Sequence, residues 1–154
     1  VIAGIDPGAT GAVAILSDDG HLIEVTDLPH MKGSGLSGAM LAEYLREWDD
    51  VRHAFLERVA ARPGAGVSGM FNFGCDYGVI QGVLAALLIP MTLVTPAKWK
   101  GDLRLPADKD AARARAAQLW PGAAKQFARK KDDGRAEAAL LGLWGAQSMR
   151  GKTQ

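Results

Sequence analysis

Only one of the 154 residues is a cysteine. Cys75 therefore has no partner for an intramolecular disulfide, which predicts a reducing, cytoplasmic setting and a buried, inert thiol. Long apolar runs are also missing. The longest, Val79 to Val94, is interrupted by Gln81, Gly82 and Pro90, whereas a membrane-spanning helix needs about 20 apolar residues. This run predicts the end of a helix followed by a buried strand, and no membrane. No basic and apolar leader stands at the N-terminus, so no secretory signal is expected. No internal repeat and no second domain are apparent in the pattern, which predicts one domain over residues 1–154, large enough for a real core. Hydrophobic residues make up 48% of the chain, which excludes disorder.

Net charge is scarce as well, at +1, but its distribution is uneven. Residues 1–97 hold 5 Lys or Arg against 11 Asp or Glu, while residues 98–135 hold 11 Lys or Arg against 5 Asp. A basic segment of this density suits a polyanionic partner; a solvated helical face is the plainer alternative.

What is present reads as strands first and then strands alternating with helices. Val1, Ile2 and Ile5 give the first seventeen residues, VIAGIDPGATGAVAILS, their strand character, and Asp6 stands where that strand stops. Pro7-Gly8 and Gly11 mark a tight turn, and Ala12 to Leu16 returns as a second strand. A third runs from His21 to Leu28. Pro29 to Gly38 is a loop, with Ser37 placed to cap a helix over Ala39 to Trp48 whose apolar face is Met40, Leu41, Tyr44, Leu45 and Trp48. Val51 to Glu57 is a fourth strand that also ends in a carboxylate. His53 on it reads as a surface or half-buried residue.

Residues 62 to 69 form a flexible linker before a long helix, about Met70 to Leu88. Gly74, Gly78 and Gly82 fall on it at four-residue spacing. Each costs roughly 1 kcal/mol in a helix interior relative to alanine, which predicts close approach of another backbone, either the chain's own sheet or a second subunit. A fifth strand, Met91 to Thr95, precedes a short helical turn at Pro96 to Lys100 and a helix from Ala107 to Trp120. Pro121 to Lys131 reads as a basic loop, and a last helix, Asp133 to Met149, presents Ala136, Leu140, Leu143 and Trp144 to the core. The order β-β-β-α-β-α-β-α-α predicts an α/β fold with a five-stranded mixed sheet, its first three strands a meander, flanked by helices.

Asp6 alone admits three readings: a turn residue of a plain hairpin, a metal ligand, or the start of a phosphate-binding hairpin like that of actin-like sugar kinases. Glu57 narrows the choice, because glutamate is depleted in strands and a carboxylate after Ala54-Phe55-Leu56 needs compensation. If strands one and four are parallel neighbours, Asp6 and Glu57 lie side by side. Asp133 and Glu137, four apart, share one face at the start of the last helix, with Asp132 beside them. Oxygen ligands of this kind suit Mg²⁺ or Mn²⁺.

Together, GIDPGATGAVAI, FLE at a strand end, TPAKWK, ADK and KKDDGRAEAALLGLW resemble the RuvC-type Holliday junction resolvases of the RNase H-like superfamily, in a form similar to phage, poxviral and fungal mitochondrial members. The resemblance runs from Val1 to about Gly145. It implies that Asp6, Glu57, Asp133 and Glu137 bind metal, with Asp132 as the reserve for Asp133. Glu137 stands where many relatives have aspartate. Lys100 and Lys109 would lie near the scissile strand. A homodimer is implied too, with Gly74, Gly78 and Gly82 at its interface, and Phe71 or Phe73 as the aromatic that wedges into the junction.

The implied activity is endonucleolytic resolution of four-way DNA junctions by two Mg²⁺ ions, with Mn²⁺ as a substitute, leaving 5′-phosphate and 3′-hydroxyl ends. Lys109 would help neutralise the transition state. Arg58, Arg62, Lys98, Arg104, Arg113, Lys125, Arg129, Lys130, Lys131 and Arg135 would grip backbone phosphates. The competing readings are a nuclease of the same fold for flaps, forks or RNA, a non-catalytic junction-binding module, and a sugar-kinase-like phosphotransferase. The last would need a second large lobe.

Overall fold

A computed structural model describes residues 1–48, 50–61 and 63–151, with the backbone but not the side chain of Lys109. The first strand, β1 (Ile2–Asp6), lies at the centre of a five-stranded sheet whose strands follow the spatial order Leu22–Asp27, Ala12–Leu16, Ile2–Asp6, His53–Glu57, Met91–Val94. Its antiparallel neighbour β2 (Ala12–Leu16) pairs in turn with β3 (Leu22–Asp27), which makes the meander. On the other side β6 (His53–Glu57) and β7 (Met91–Val94) run parallel to β1. Two short strands, β4 (His30–Met31) and β5 (Gly35–Leu36), form a separate hairpin within the loop after β3. The expected α/β architecture and meander are thus observed.

Side-chain alternation gives the sheet two different faces. Ala3, Ile5, Val13, Ile15, Ala54 and Leu56 point to one face, where they pack with Leu41 and Leu45 of helix α1 (Gly38–Arg46) and with Ile80 and Leu84 of α2 (Val67–Ala86). Ile2, Ala12, Ala14, Leu16 and Phe55 point to the other. That face is covered by α4 (Lys109–Leu119) and α5 (Asp133–Arg150), and Trp99 of the short helix α3 (Pro96–Asp102) joins the same core. Ser37 caps α1 as expected, accepting from the Met40 N–H at 3.3 Å.

The tightest packing is backbone on backbone. A Cβ built on Gly4 of β1 would lie 2.2 Å from the Ala138 carbonyl oxygen and 2.5 Å from the Gly142 nitrogen, and one on Gly142 would lie 2.3 Å from Leu16 Cδ1. Helix α5 therefore rests directly on β1, because neither element has a side chain at the crossing.

Several expectations change. Of the two partners predicted for Gly74, Gly78 and Gly82, the chain's own sheet is not one: among the described residues a Cβ on any of them would meet nothing within 4 Å. Cys75 on the same helix is exposed rather than buried. Helix α2 starts at Val67, inside the predicted linker. Strand β7, expected to be buried, is an edge strand with only Val94 buried and Leu93 40% exposed, because among the described residues no further strand pairs with it. Met40 is 50% exposed, on the flank of α1 and not its core face. The predicted loop over Pro121 to Lys131 is largely 3-10 helix, at Pro121–Phe127 and Lys130–Asp132, anchored by the buried Phe127. Among the described residues no helix is long and apolar enough to cross a membrane.

Candidate active site

The alternation that sorts the core also aims the carboxylates. Ile2, Gly4 and Asp6 share one face of β1, and Phe55 and Glu57 share the same face of β6. Parallel register pairs Ile5 with Leu56, so Asp6 and Glu57 follow as neighbours at the C-terminal ends of the two strands. Both face α5, which begins at Asp133 and puts Glu137 one turn further on. Asp6, Glu57 and Glu137 each offer an oxygen such that all three lie within 4.8 Å of one another. Glu57, Asp133 and Glu137 are 8%, 8% and 9% exposed.

Gly134 makes this convergence possible. A Cβ there would lie 2.0 Å from the Thr10 carbonyl oxygen and 3.1 Å from Asp6 Oδ2. The first turn of α5 can therefore sit against the β1–β2 turn only with glycine at that position.

Burial and the neighbouring carboxylates act together on Asp6. Desolvation pushes the Asp6 carboxyl well above its ordinary range, and the charges of Glu137, Glu57 and Asp133 push it further, with Lys100 opposing. An all-oxygen, multiply anionic set of this kind fits a hard divalent cation, which would relieve the repulsion.

Helix α3 supplies two groups to the set. Thr95 caps it, accepting from the Lys98 N–H, and Pro96 occupies its first turn. From there the fully buried Trp99 donates its indole N–H to Glu57 Oε2 at 3.0 Å, and Lys100 Nζ donates to Glu137 Oε1 at 2.6 Å. The Lys100 ammonium also stands 5.2 Å from the centre of the Trp99 ring. Sequence reasoning placed Lys100 here but gave Trp99 no part. The available signal was a buried strand-end glutamate that requires a donor, together with an aromatic donor on the next short helix.

The acidic pair at the start of α5 is divided. Asp132, 1% exposed, accepts from the Arg129 side chain at 2.8 Å and from its backbone N–H at 2.8 Å. Burial raises the Asp132 carboxyl, and the bonds from Arg129 more than reverse this, leaving it below the ordinary range. Asp132 is thus committed to closing the preceding turn, whereas Asp133 acts on Asp6.

The basic residues separate into two groups. Arg58, Lys98, Arg104, Lys125, Arg129, Lys130 and Lys131 are exposed, with Lys98 in an i,i+4 pair with Asp102 at 2.8 Å. Arg113 and Arg135, expected to face phosphates, point inward. Arg113 donates to the Ala128 carbonyl at 3.1 Å. Arg135 makes a two-point contact with Asp27 at 2.6 and 3.0 Å and reaches Gln126 Oε1 at 2.7 Å. Both hold the 3-10 segment in place. Phe71 is 71% exposed, and Phe73, half-buried, lies beside the β1–β2 turn, 3.5 Å from the position of a Cβ on Gly8. Arg62 and the Lys109 side chain lie outside the described residues.

No protein-family model matches the chain, and no curated protein matches it in sequence. Solved structures do match. RuvC of T. thermophilus in complex with a Holliday junction substrate superposes with a TM-score of 0.72 at 18% identity, over 99% of this chain and 96% of that one. The fowlpox virus resolvase in complex with Holliday junction DNA gives 0.56 at 16% identity, over 96% and 99%. The yeast mitochondrial Holliday junction resolvase gives 0.59 at 18%, over 99% of this chain and 80% of that one. The chain has the fold of RuvC-type resolvases, in bacterial, poxviral and mitochondrial forms alike.

Proposed function

We propose that this chain is a structure-selective endodeoxyribonuclease that resolves four-way DNA junctions. The observation that carries the reading is the convergence of Asp6, Glu57 and Glu137 within 4.8 Å at the ends of parallel strands, in a fold similar to that of resolvases bound to junction DNA. Asp133, at the start of the same helix as Glu137, completes the ligand set. Two divalent ions, Mg²⁺ or Mn²⁺, would supply an activated water and charge neutralisation at the leaving 3′ oxygen, leaving a 5′-phosphate.

The chain's own residues bind and orient. Lys100 holds Glu137 and brings a positive charge to the edge of the acidic set, and Lys109 serves the charge that builds on the phosphate in the transition state. The exposed Lys125, Lys130 and Lys131, on a segment clamped by Arg113 and Arg135, hold DNA backbones by charge and shape. A junction is cut at two symmetric positions, so the active form is a homodimer. Helix α2 offers the surface for it, with Val67 87% exposed, Phe71 71% exposed, and open space over Gly74, Gly78 and Gly82. Phe71, at the exposed end of that helix, is the candidate wedge.

The test is incubation of the protein with an immobile four-way junction and Mg²⁺, alongside flap, fork and RNA duplex substrates. Paired, symmetric and ligatable nicks in the junction are expected, at rates above those on the other substrates. Faster cleavage of flaps, forks or RNA would reassign the substrate, and tight junction binding without cleavage in any divalent ion would overturn the enzymatic reading.

A further inference from the structure

Trp99 is an unusual neighbour for an acidic centre. It is the largest fully buried side chain of the chain's core, at 0% exposure. Its one polar atom, Nε1, is not turned to a backbone carbonyl but to Glu57 Oε2, at 3.0 Å. Indole is a donor only, so it bonds Glu57 through an acceptor oxygen and fixes the rotation of the carboxylate about its last torsion, which is otherwise broad. The rest of the ring is locked by core packing, so the donor cannot swing away as a lysine or a water would. The next residue, Lys100, donates to Glu137, and helix α3 thereby reaches a carboxylate of β6 and one of α5 at once.

We propose that Trp99 is a positioning residue for metal binding: its indole N–H orients the Glu57 carboxylate toward the point that Asp6 and Glu137 also face. This deepens the proposed function and rests on its reading of Glu57 as a ligand. Partners that orient a ligand from behind typically change metal affinity by about 10–100-fold when removed.

Two measurements test it. The first follows the indole ¹⁵N–H resonances of the otherwise unaltered protein, which has four tryptophans; Trp99→Phe assigns the relevant one. The Trp99 signal is expected to shift in Glu57→Gln and to shift again when Mg²⁺ is titrated into the unaltered chain. The Trp144 signal, from an indole that donates to Asp102 at 2.7 Å outside the acidic set, serves as the control and is expected to stay in place. The second is calorimetric titration of Mn²⁺ into Trp99→Phe, which keeps a smaller aromatic ring in the core and loses the N–H. Affinity is expected to fall about tenfold, with the loss of cleavage made good at high Mn²⁺. A structural role alone would instead lower the melting temperature in chelator and reduce cleavage at every metal concentration.

An unshifted Trp99 signal in Glu57→Gln, or undiminished Mn²⁺ affinity in Trp99→Phe, would overturn the proposal. A Trp99 signal that responds to Glu57→Gln but not to Mg²⁺ would overturn the reading of Glu57 as a ligand, and the positioning role with it.

Discussion

Asp6 sits among carboxylates that all disfavour its charge, so removing that charge acts on activity and stability in opposite directions. Asp6→Asn is expected to abolish junction cleavage in Mg²⁺. In chelator the same change is expected to raise the melting temperature, at about 2–4 °C per kcal/mol of relieved repulsion for a chain of this size. Calorimetry of the two proteins with and without chelator checks this, and an unchanged cleavage rate would remove Asp6 from the site. At Asp27 the sign is reversed. The bond from Arg135 holds its carboxyl below the ordinary range despite partial burial, so the folded state releases this proton more readily than the unfolded one. The resulting stability is fully present above about pH 3.9, the unfolded value, and is lost as pH falls through the lower folded value. Asp27 is 58% exposed and screened by solvent, so the pair is worth no more than about 1 kcal/mol. Urea unfolding should show Asp27→Asn as slightly weaker than the unaltered chain at pH 7 and equal to it near the acid end of that window.

At the scale of elements, glycines decide two contacts in opposite ways. Gly4→Ala would drive a methyl into the main chain of α5, which cannot yield as a flexible side chain would, and is expected to cost about 3 kcal/mol, the upper range for overpacking. Gly78→Ala meets open space and is expected to stabilise the isolated subunit by about 1 kcal/mol through helix propensity, whereas Gly78→Arg tests the proposed dimer, which it should shift to monomer in sedimentation. Sequence periodicity gave no means of telling these glycines apart. A four-residue spacing of glycines on a helix says that small residues share a stripe, not what lies opposite, and Gly4 in a five-residue strand leaves no periodic trace at all. The carboxylates were legible for the reason that the glycines were not: Asp6 and Glu57 contradict the apolar runs they terminate, and a local contradiction is visible without knowing the partner. Trp99 and Arg135 were hidden because a tryptophan reads as core and an arginine as surface until the distant residue it bonds is known, 42 positions away for Glu57 and 108 for Asp27.

For the molecule as a whole, charge segregation translates into a salt dependence. Junction affinity is expected to fall steeply with ionic strength, and Lys130→Ala and Lys131→Ala should each lower the slope of log K against log salt by about 1. Arg135→Ala, by contrast, should reduce thermal stability as well as affinity, because it releases Asp27 and Gln126.

The contact between Gly4 and Gly142 bears on how the site could tolerate change. Asp6 lies two residues from Gly4 on one rod, Glu137 five residues from Gly142 on the other, and at that crossing the rods touch through peptide groups. The spacing of the acidic groups is therefore gauged by backbone dimensions as long as both glycines are kept. Aliphatic residues elsewhere in the interior can be exchanged for others of similar volume while the calibration of the cluster is kept, which makes this crossing the fixed point around which the chain could be re-engineered for heat resistance.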